Sequence, residues 1–219
     1  MILVLRGHLR TSFKDDRLYK FIKDLSELYP DLKIYLHTWS VLQSKISWRL
    51  LEENASPVTE SLILNYFKDL APRIQKIIID NDETIQLIGA TEGIIRRTKA
   101  PLIGWKRYWY GKYQIAKHIK ETREPSESII NTRFDLFHLP YFSHEESIFF
   151  SFLQANPRPK KNQFLRNGCF PGMDNFYIGT VDSQFRLADR FHHQLDYILE
   201  FHKNIFIDYQ EYYVYYAGV

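Results

Sequence analysis

Apolar positions along the first eighty residues follow two alternating rhythms. Residues 2–5, Ile-Leu-Val-Leu, are an unbroken apolar run of the kind that forms a strand buried on both faces. From 16 to 29 the spacing changes. Leu18, Phe21, Ile22, Leu25 and Leu28 recur every three or four residues, which predicts an amphipathic helix with Asp15 or Asp16 as its cap and Pro30-Asp31 as its end. Leu32, Ile34 and Leu36 then alternate with Lys33, Tyr35 and His37, a second strand. This strand–helix–strand unit has the length of a parallel crossover. Residues 40–58 show no clear period. Pro57-Val58-Thr59-Glu60 opens a helical stretch over 60–70, through Leu62, Ile63, Tyr66, Phe67 and Leu70. Ile77-Ile78-Ile79 is another short buried strand, ahead of the acidic loop Asp80-Asn81-Asp82-Glu83.

The second half is less regular. After a weakly patterned segment with Gly89 and Gly93, a helix is predicted over 105–120, with Trp105, Tyr108, Trp109, Lys112, Ile115, Ala116 and Ile119 on one broad face. A break at 122–126 precedes a strand over 127–135, and 147–153 reads as a further strand. Residues 154–175 are loop-rich, and 181–202 form a long helix through Phe185, Ala188, Phe191, Leu195 and Ile198. The Tyr-rich segment 212–216 reads as a strand or a docking segment. The pattern predicts one α/β domain over 1–219, a Rossmann-like, mixed but mostly parallel sheet flanked by helices, with 203–219 set apart as a docking tail. In such sheets ligands sit beyond the carboxyl ends of the strands, which points to the loops after residues 5, 37, 79 and 134.

Composition narrows the classes. With 45% hydrophobic and 25% charged residues, the chain can bury a core and is not disordered as a whole. Its 15 Tyr and 16 Phe serve either a bulky core or aromatic surfaces that stack on sugars and bases. A net charge of +3 permits an anionic partner, such as a nucleotide phosphate or an acidic membrane surface. The basic stripe of a nucleic-acid binder is missing, so no nucleic-acid partner is expected. Cys169 is the single cysteine, which excludes an internal disulfide and agrees with a reducing compartment. The opening apolar run is too short for a signal peptide, and no run approaches the roughly 18 apolar residues of a spanning helix. The expectation is a cytoplasmic protein that touches a membrane, if at all, from the inner face. Glycine-rich dinucleotide and phosphate-loop motifs and the Gly-x-Ser-x-Gly elbow are absent. His192 and His193 diverge by about 100° on a helix and make a poor metal pair.

The segment Ile129-Ile130-Asn131-Thr132-Arg133-Phe134-Asp135 carries the main chemical signal. Residues 133 and 135 point to the same side of an extended chain. In a sugar-nucleotide site Asp135 would hold a divalent cation bridging the diphosphate, and Arg133 would neutralise phosphate directly. The other reading is an ion pair at a strand end. Elsewhere, Asp80 and Asp82 are either a paired acidic site or a solvated loop. In Trp105-Lys106-Arg107-Tyr108-Trp109 the aromatics are expected to pack inward and the cations to face out. Lys112 shares the aromatic side, from which it can reach toward a phosphate.

Asn131-Thr-Arg-Phe-Asp135 after an apolar strand resembles the site region of bacterial GT-A glycosyltransferases that build capsule and lipopolysaccharide, including the WavE-like group. There an Arg-x-Asp sequence stands where most GT-A enzymes have Asp-x-Asp. Three other segments are similar: Arg6-Gly7-His8 after the first strand, Leu36-His37-Thr38-Trp39 at the end of the second, and Met173-Asp174-Asn175-Phe176-Tyr177-Ile178-Gly179 before the long helix. The resemblance implies a GT-A-like transferase that moves a sugar from a nucleotide-sugar donor to a glycan or lipid-linked glycan acceptor. Arg6, Gly7, His8 and Arg10 would meet the nucleotide, and His37, Thr38 and Trp39 would flank the nucleoside. Asp80 and Asp82 would bind a metal or contact uracil and ribose. Arg133 and Asp135 would hold the diphosphate, with manganese or magnesium on Asp135. Asp174 would be the base on the acceptor side, although Asp is also a favoured cap at such a position. The departure at Arg133 leaves the metal open. A non-catalytic subunit of a glycan-assembly complex, or a transferase of another phosphorylated group, would keep the same cleft.

Overall fold

The computed structural model describes residues 1–44, 46, 52–95, 100–138, 146–165, 173–204 and 213–215. Its centre is a six-stranded sheet. The first strand, β1 (Ile2–Arg6), is followed by helix α1 (Arg17–Leu28) and strand β2 (Lys33–Trp39). A small hairpin, β3 (Val41–Gln43) and β4 (Asn54–Pro57), leads to α2 (Glu60–Phe67), a 3-10 segment (Lys68–Arg73) and β5 (Ile74–Asp80). Then come α3 (Leu102–Thr122), β6 (Ser128–Arg133), α4 (Ser147–Ala155), β7 (Gln163–Phe164), β8 (Phe176–Thr180) and α5 (Val181–Phe201).

The strand order is β5-β2-β1-β6-β8-β7. The first four strands run parallel, and β8 is antiparallel to both β6 and β7. The chain moves outward from β1 to β2 and β5, then crosses back through α3 to lay β6 on the other side of β1. The reversal leaves a crevice beyond the carboxyl ends of β1 and β6, where open α/β sheets take their ligands. The fold is therefore α/β, with a mostly parallel sheet flanked by helices and compatible with a Rossmann-like arrangement.

Burial explains the two helix layers. On one face Leu3, Leu5, Ile34, Leu36, Ile130 and Ile178 pack under α1, α2 and α4. On the other, Ile2, Val4, Tyr35 and Ile129 meet Ile115 and Ile119 of α3. Beyond them α3 and α5 pack together, with Trp109 stacked on Phe191 at 4.2 Å between ring centroids. Strands covered on both sides read as continuous apolar runs, as residues 2–5 do.

Local chemistry sets the helix starts. Thr59 Oγ1 accepts from the Leu62 N–H. Thr180 and Ser183 form a reciprocal capping box at α5. At α1, Asp16 sits at the cap position without capping; Asp15 Oδ1 accepts from the Arg17 N–H, and Asp16 instead pairs with Lys68.

Two sequence expectations are corrected. The strand expected over 147–153 is helix α4: Phe149 and Leu153, four residues apart, are both buried in the core under the sheet. A short apolar run does not distinguish the two states. The segment 173–179, read as opening the long helix after a loop, contains most of strand β8, which fills the sheet beside β6. Of the segment read as a strand or docking piece, residues 213–215 form a helical turn, and Tyr213 and Val214 pack with Trp105, Trp109 and Phe191; the rest lies outside the described residues. Cys169 also lies outside them. Among the described residues no helix is long and apolar enough to cross a membrane.

Candidate functional site

Arg6 ends β1 and Arg133 ends β6, and the two are partners in the parallel register. Two guanidinium groups at the mouth of one crevice repel unless acids or ligands lie between them. Arg133 donates Nε to Asp135 Oδ1 at 2.6 Å and Nη2 to Oδ2 at 3.0 Å, a forked pair made within Arg-Phe-Asp. Arg10 adds Nη1 to Asp135 Oδ2 at 2.5 Å. Asp135 is 2% exposed, so this bridge ties the loop after β1 to the end of β6 inside the protein. Burial alone would lower the Arg133 pKa, but the charge and hydrogen bonds of Asp135 outweigh it and hold the guanidinium charged. The loop depends on Gly7, whose φ of +92° suits glycine; its N–H donates to the His37 carbonyl.

Arg6 turns the other way. Its Nε donates to Asn131 Oδ1 at 2.7 Å and its Nη2 to the Asp174 carbonyl at 2.6 Å, while Nη1 is buried with no hydrogen-bond partner. Its guanidinium lies 4.5 Å from the centroid of the Tyr108 ring. Tyr108 donates its hydroxyl to Asp174 Oδ2 at 2.5 Å. Burial pushes the Tyr108 phenol well above its ordinary range, so it remains a donor at neutral pH. Lys112, one turn further along α3, is also buried without a hydrogen-bond partner for Nζ. Each such unsatisfied donor costs about 1–3 kcal/mol.

His8 lies beside these cations. Burial, then the charges of Arg10 and Arg133, lower its pKa to about 3 against the opposing pull of Asp135, so it is a neutral ring at physiological pH. Its Nε2 is buried and has no hydrogen-bond partner. The His8 ring is 5.9 Å from Trp39, which joins the arginine cluster to the end of β2.

At that end His37 is buried, and its Nε2 lies 3.1 Å from Asp80 Oδ2 at the end of β5. Trp39 is sandwiched by neighbours, T-shaped to His37 at 5.1 Å and stacked on Tyr110 at 6.1 Å. Helix α3 reaches this layer because residue 111 is glycine: a Cβ there would lie 2.5 Å from His37 Cε1. Thr38 alternates to the opposite face of β2, where its Oγ1 is buried without a partner.

The sheet thus brings Arg6, His8, Arg10, Arg133, Asp135 and Asp174 into one crevice, with His37 and Trp39 at its side. Gly7 serves through its backbone, and Thr38 faces away. Trp39 is almost wholly covered, which limits stacking on a ligand to an edge. The acidic loop is divided: Asp82 is buried against Arg107 at 2.7 Å, while Asp80 keeps about a quarter of its side chain exposed. Two expectations for α3 are corrected. Lys106 does not face out but is buried, paired with Asp196 of α5 at 2.7 Å. Arg107 is drawn to Asp82. Tyr108 and Asn131 were not singled out as site residues. The signal for Tyr108 was its place on the buried side of α3, four residues before Lys112.

Both Asp135 oxygens accept from guanidinium groups. Among the described residues no group of three or more His, Cys, Asp and Glu side chains is arranged to hold a metal ion. The guanidinium groups of Arg6, Arg10 and Arg133 meet the acids Asp135 and Asp174, with the Lys112 amine beside them, an imbalance suited to an anion. No family model matches the chain, and no curated protein or solved structure matches it with statistical significance.

Proposed function

We propose that the protein is a GT-A-like glycosyltransferase that takes a nucleotide-sugar donor in the crevice between β1 and β6 and passes the sugar to a surface-glycan or lipid-linked glycan acceptor. The observation that carries this reading is the register pairing of Arg6 with Arg133 at a strand-order reversal, beside two buried donors without partners. The diphosphate lies along the arginines, and the nucleoside lies toward His37, Trp39 and the Asp80 carboxylate. Asp135 acts by holding Arg133 and Arg10 in position. A manganese or magnesium ion on Asp135 would have to displace both guanidinium groups, so the proposal assigns neutralisation of the leaving diphosphate to the cationic side chains themselves. Asp174 stands on the acceptor side, where its carboxylate would take the proton of the attacking hydroxyl once Tyr108 releases it.

A second reading is favoured by Asp174 itself. Its carboxylate is buried and already accepts from Tyr108, an arrangement that also suits a subunit that binds a donor without turning it over. The test is release of nucleoside diphosphate from a panel of nucleotide sugars, with and without glycan acceptors. Asp174→Asn is expected to lower turnover by on the order of 10²- to 10⁴-fold while donor affinity is retained. Undiminished turnover in that variant would remove Asp174 from the base role. No release from any donor that the wild-type protein binds would favour the non-catalytic reading.

A further inference from the structure

Lys112 ends inside the molecule, 1% exposed. Its Nζ has no hydrogen-bond partner and lies 4.5 Å from the Tyr108 ring centroid, 4.3 Å from that of Trp109 and 4.8 Å from that of Tyr177. Arg6 reaches the same Tyr108 ring from the end of β1, with Nη1 buried and unpartnered. Two buried donor atoms, Lys112 Nζ and Arg6 Nη1, come from separate elements, lie against one ring and have no acceptor, and they require an explanation. An anion with several acceptor oxygens supplies one.

The surrounding charges agree. Facing Lys112 are Arg6 of β1, Arg133 of β6, Asp174 in the turn before β8, and the ring faces of Tyr108 and Tyr177. Taken together, the guanidinium groups of Arg6, Arg10 and Arg133 outnumber the carboxylates of Asp135 and Asp174, so the surroundings are net positive even with the Lys112 amine neutral. Trp109 and Tyr177 are buried, whereas Tyr108 keeps some exposed surface, so the Tyr108 ring is the part of the cage nearest solvent.

We propose that Lys112 and Arg6 form the inner half of a phosphate subsite, receiving diphosphate oxygens beneath the Tyr108 ring. The identification of that phosphate with a sugar donor rests on the function proposed above; the subsite does not. One consequence can be measured. In the unliganded protein burial, followed by the charge of Arg6, pushes the Lys112 amine well below its ordinary range against the pull of Asp174. An arriving phosphate opposes that shift and raises the affinity of Nζ for a proton.

The experiment is calorimetric titration of inorganic pyrophosphate in buffers of different ionisation enthalpy, for wild type and Lys112→Met. Wild type is expected to bind pyrophosphate about tenfold more tightly than the variant or better, with greater proton uptake on binding. A thermal melt confirms that the variant folds, and Lys112→Gln replaces it if it does not. Equal proton uptake and equal affinity in the two proteins overturn the proposal and transfer any linkage to His8. Absence of pyrophosphate binding to folded wild type also overturns it, even where nucleotide sugars still bind. Failure of every nucleotide sugar, with the pyrophosphate linkage intact, overturns the donor reading alone.

Discussion

Replacing Asp135 by Asn tests how the crevice is held together. The substitution keeps the shape of the side chain and removes its charge. Three charge-assisted hydrogen bonds converge on this carboxylate, at 2.5, 2.6 and 3.0 Å. Breaking a fully buried pair costs about 3–5 kcal/mol. Here the acid is covered but Arg10 and Arg133 keep 14% and 16% of their side chains exposed, so water recovers part of that loss. An Asn amide also turns a donor toward a donor. The expected cost is about 2–4 kcal/mol. For a chain of this length that lowers Tm by about 4–16 °C. Scanning calorimetry at neutral pH, with far-ultraviolet circular dichroism to show that the variant starts folded, measures it. A Tm within about 2 °C of wild type would refute the argument that Asp135 clamps the loop after β1 to the end of β6.

Three further outcomes follow from neighbouring residues. The His8 pKa is depressed to about 3 in the folded protein, so between its unfolded value near 6.5 and 3 the unfolded chain binds the extra proton; stability is lost as pH falls through that window, and His8→Gln is expected to flatten that part of a pH series of urea melts. An unchanged slope would separate His8 from the acid response. Gly111→Ala gains about 1 kcal/mol of helix propensity yet brings a Cβ to 2.5 Å from His37, so a net loss of about 1–2 kcal/mol in chemical denaturation is expected, and a net gain would show that α3 can move off β2 without cost. Lys112→Met removes a buried unsatisfied donor and is expected to raise stability by about 1–3 kcal/mol in the absence of phosphate; destabilisation would show that the three rings hold the amine as a charged structural group.

The helical periods over 16–29, 105–120 and 181–202 are long enough to read directly, and α1, α3 and α5 occupy them with small shifts in their ends. The shorter apolar stretches at 2–5, 32–36, 77–79 and 127–135 are strands β1, β2, β5 and β6, as expected. One short run misled. Ser147–Leu153 is rich in Ile and Phe, which suit a strand, yet Phe149 and Leu153 face the core four apart on α4. Phe176–Thr180 is a five-residue strand hidden beside a loop, and only its pairing with β6 reveals it. The strand-end logic found Arg6, Arg133 and Asp135. Sequence alone did not show that Arg6 and Arg133 are neighbours in register, because that depends on β6 crossing back to the far side of β1. Lys106 was expected in solvent on helix geometry alone, and is buried because Asp196 of α5, ninety residues later, stands opposite it. Tyr108 was read as core for the same reason: α3 does pack inward there, but onto Arg6 and Asp174 rather than onto apolar side chains alone.

Donor binding in the crevice beyond β1 and β6, through its cationic side chains, is what we propose. Calorimetric titration of wild type with a panel of nucleotide sugars, with and without manganese, and with Asp135→Ala as control, tests it most directly. Selective binding of one donor is expected, persisting without manganese and weakening in Asp135→Ala as Arg133 and Arg10 lose their anchor. Binding to none of the donors by a folded protein would contradict the donor claim, and binding that requires manganese would contradict the assignment of neutralisation to the arginines.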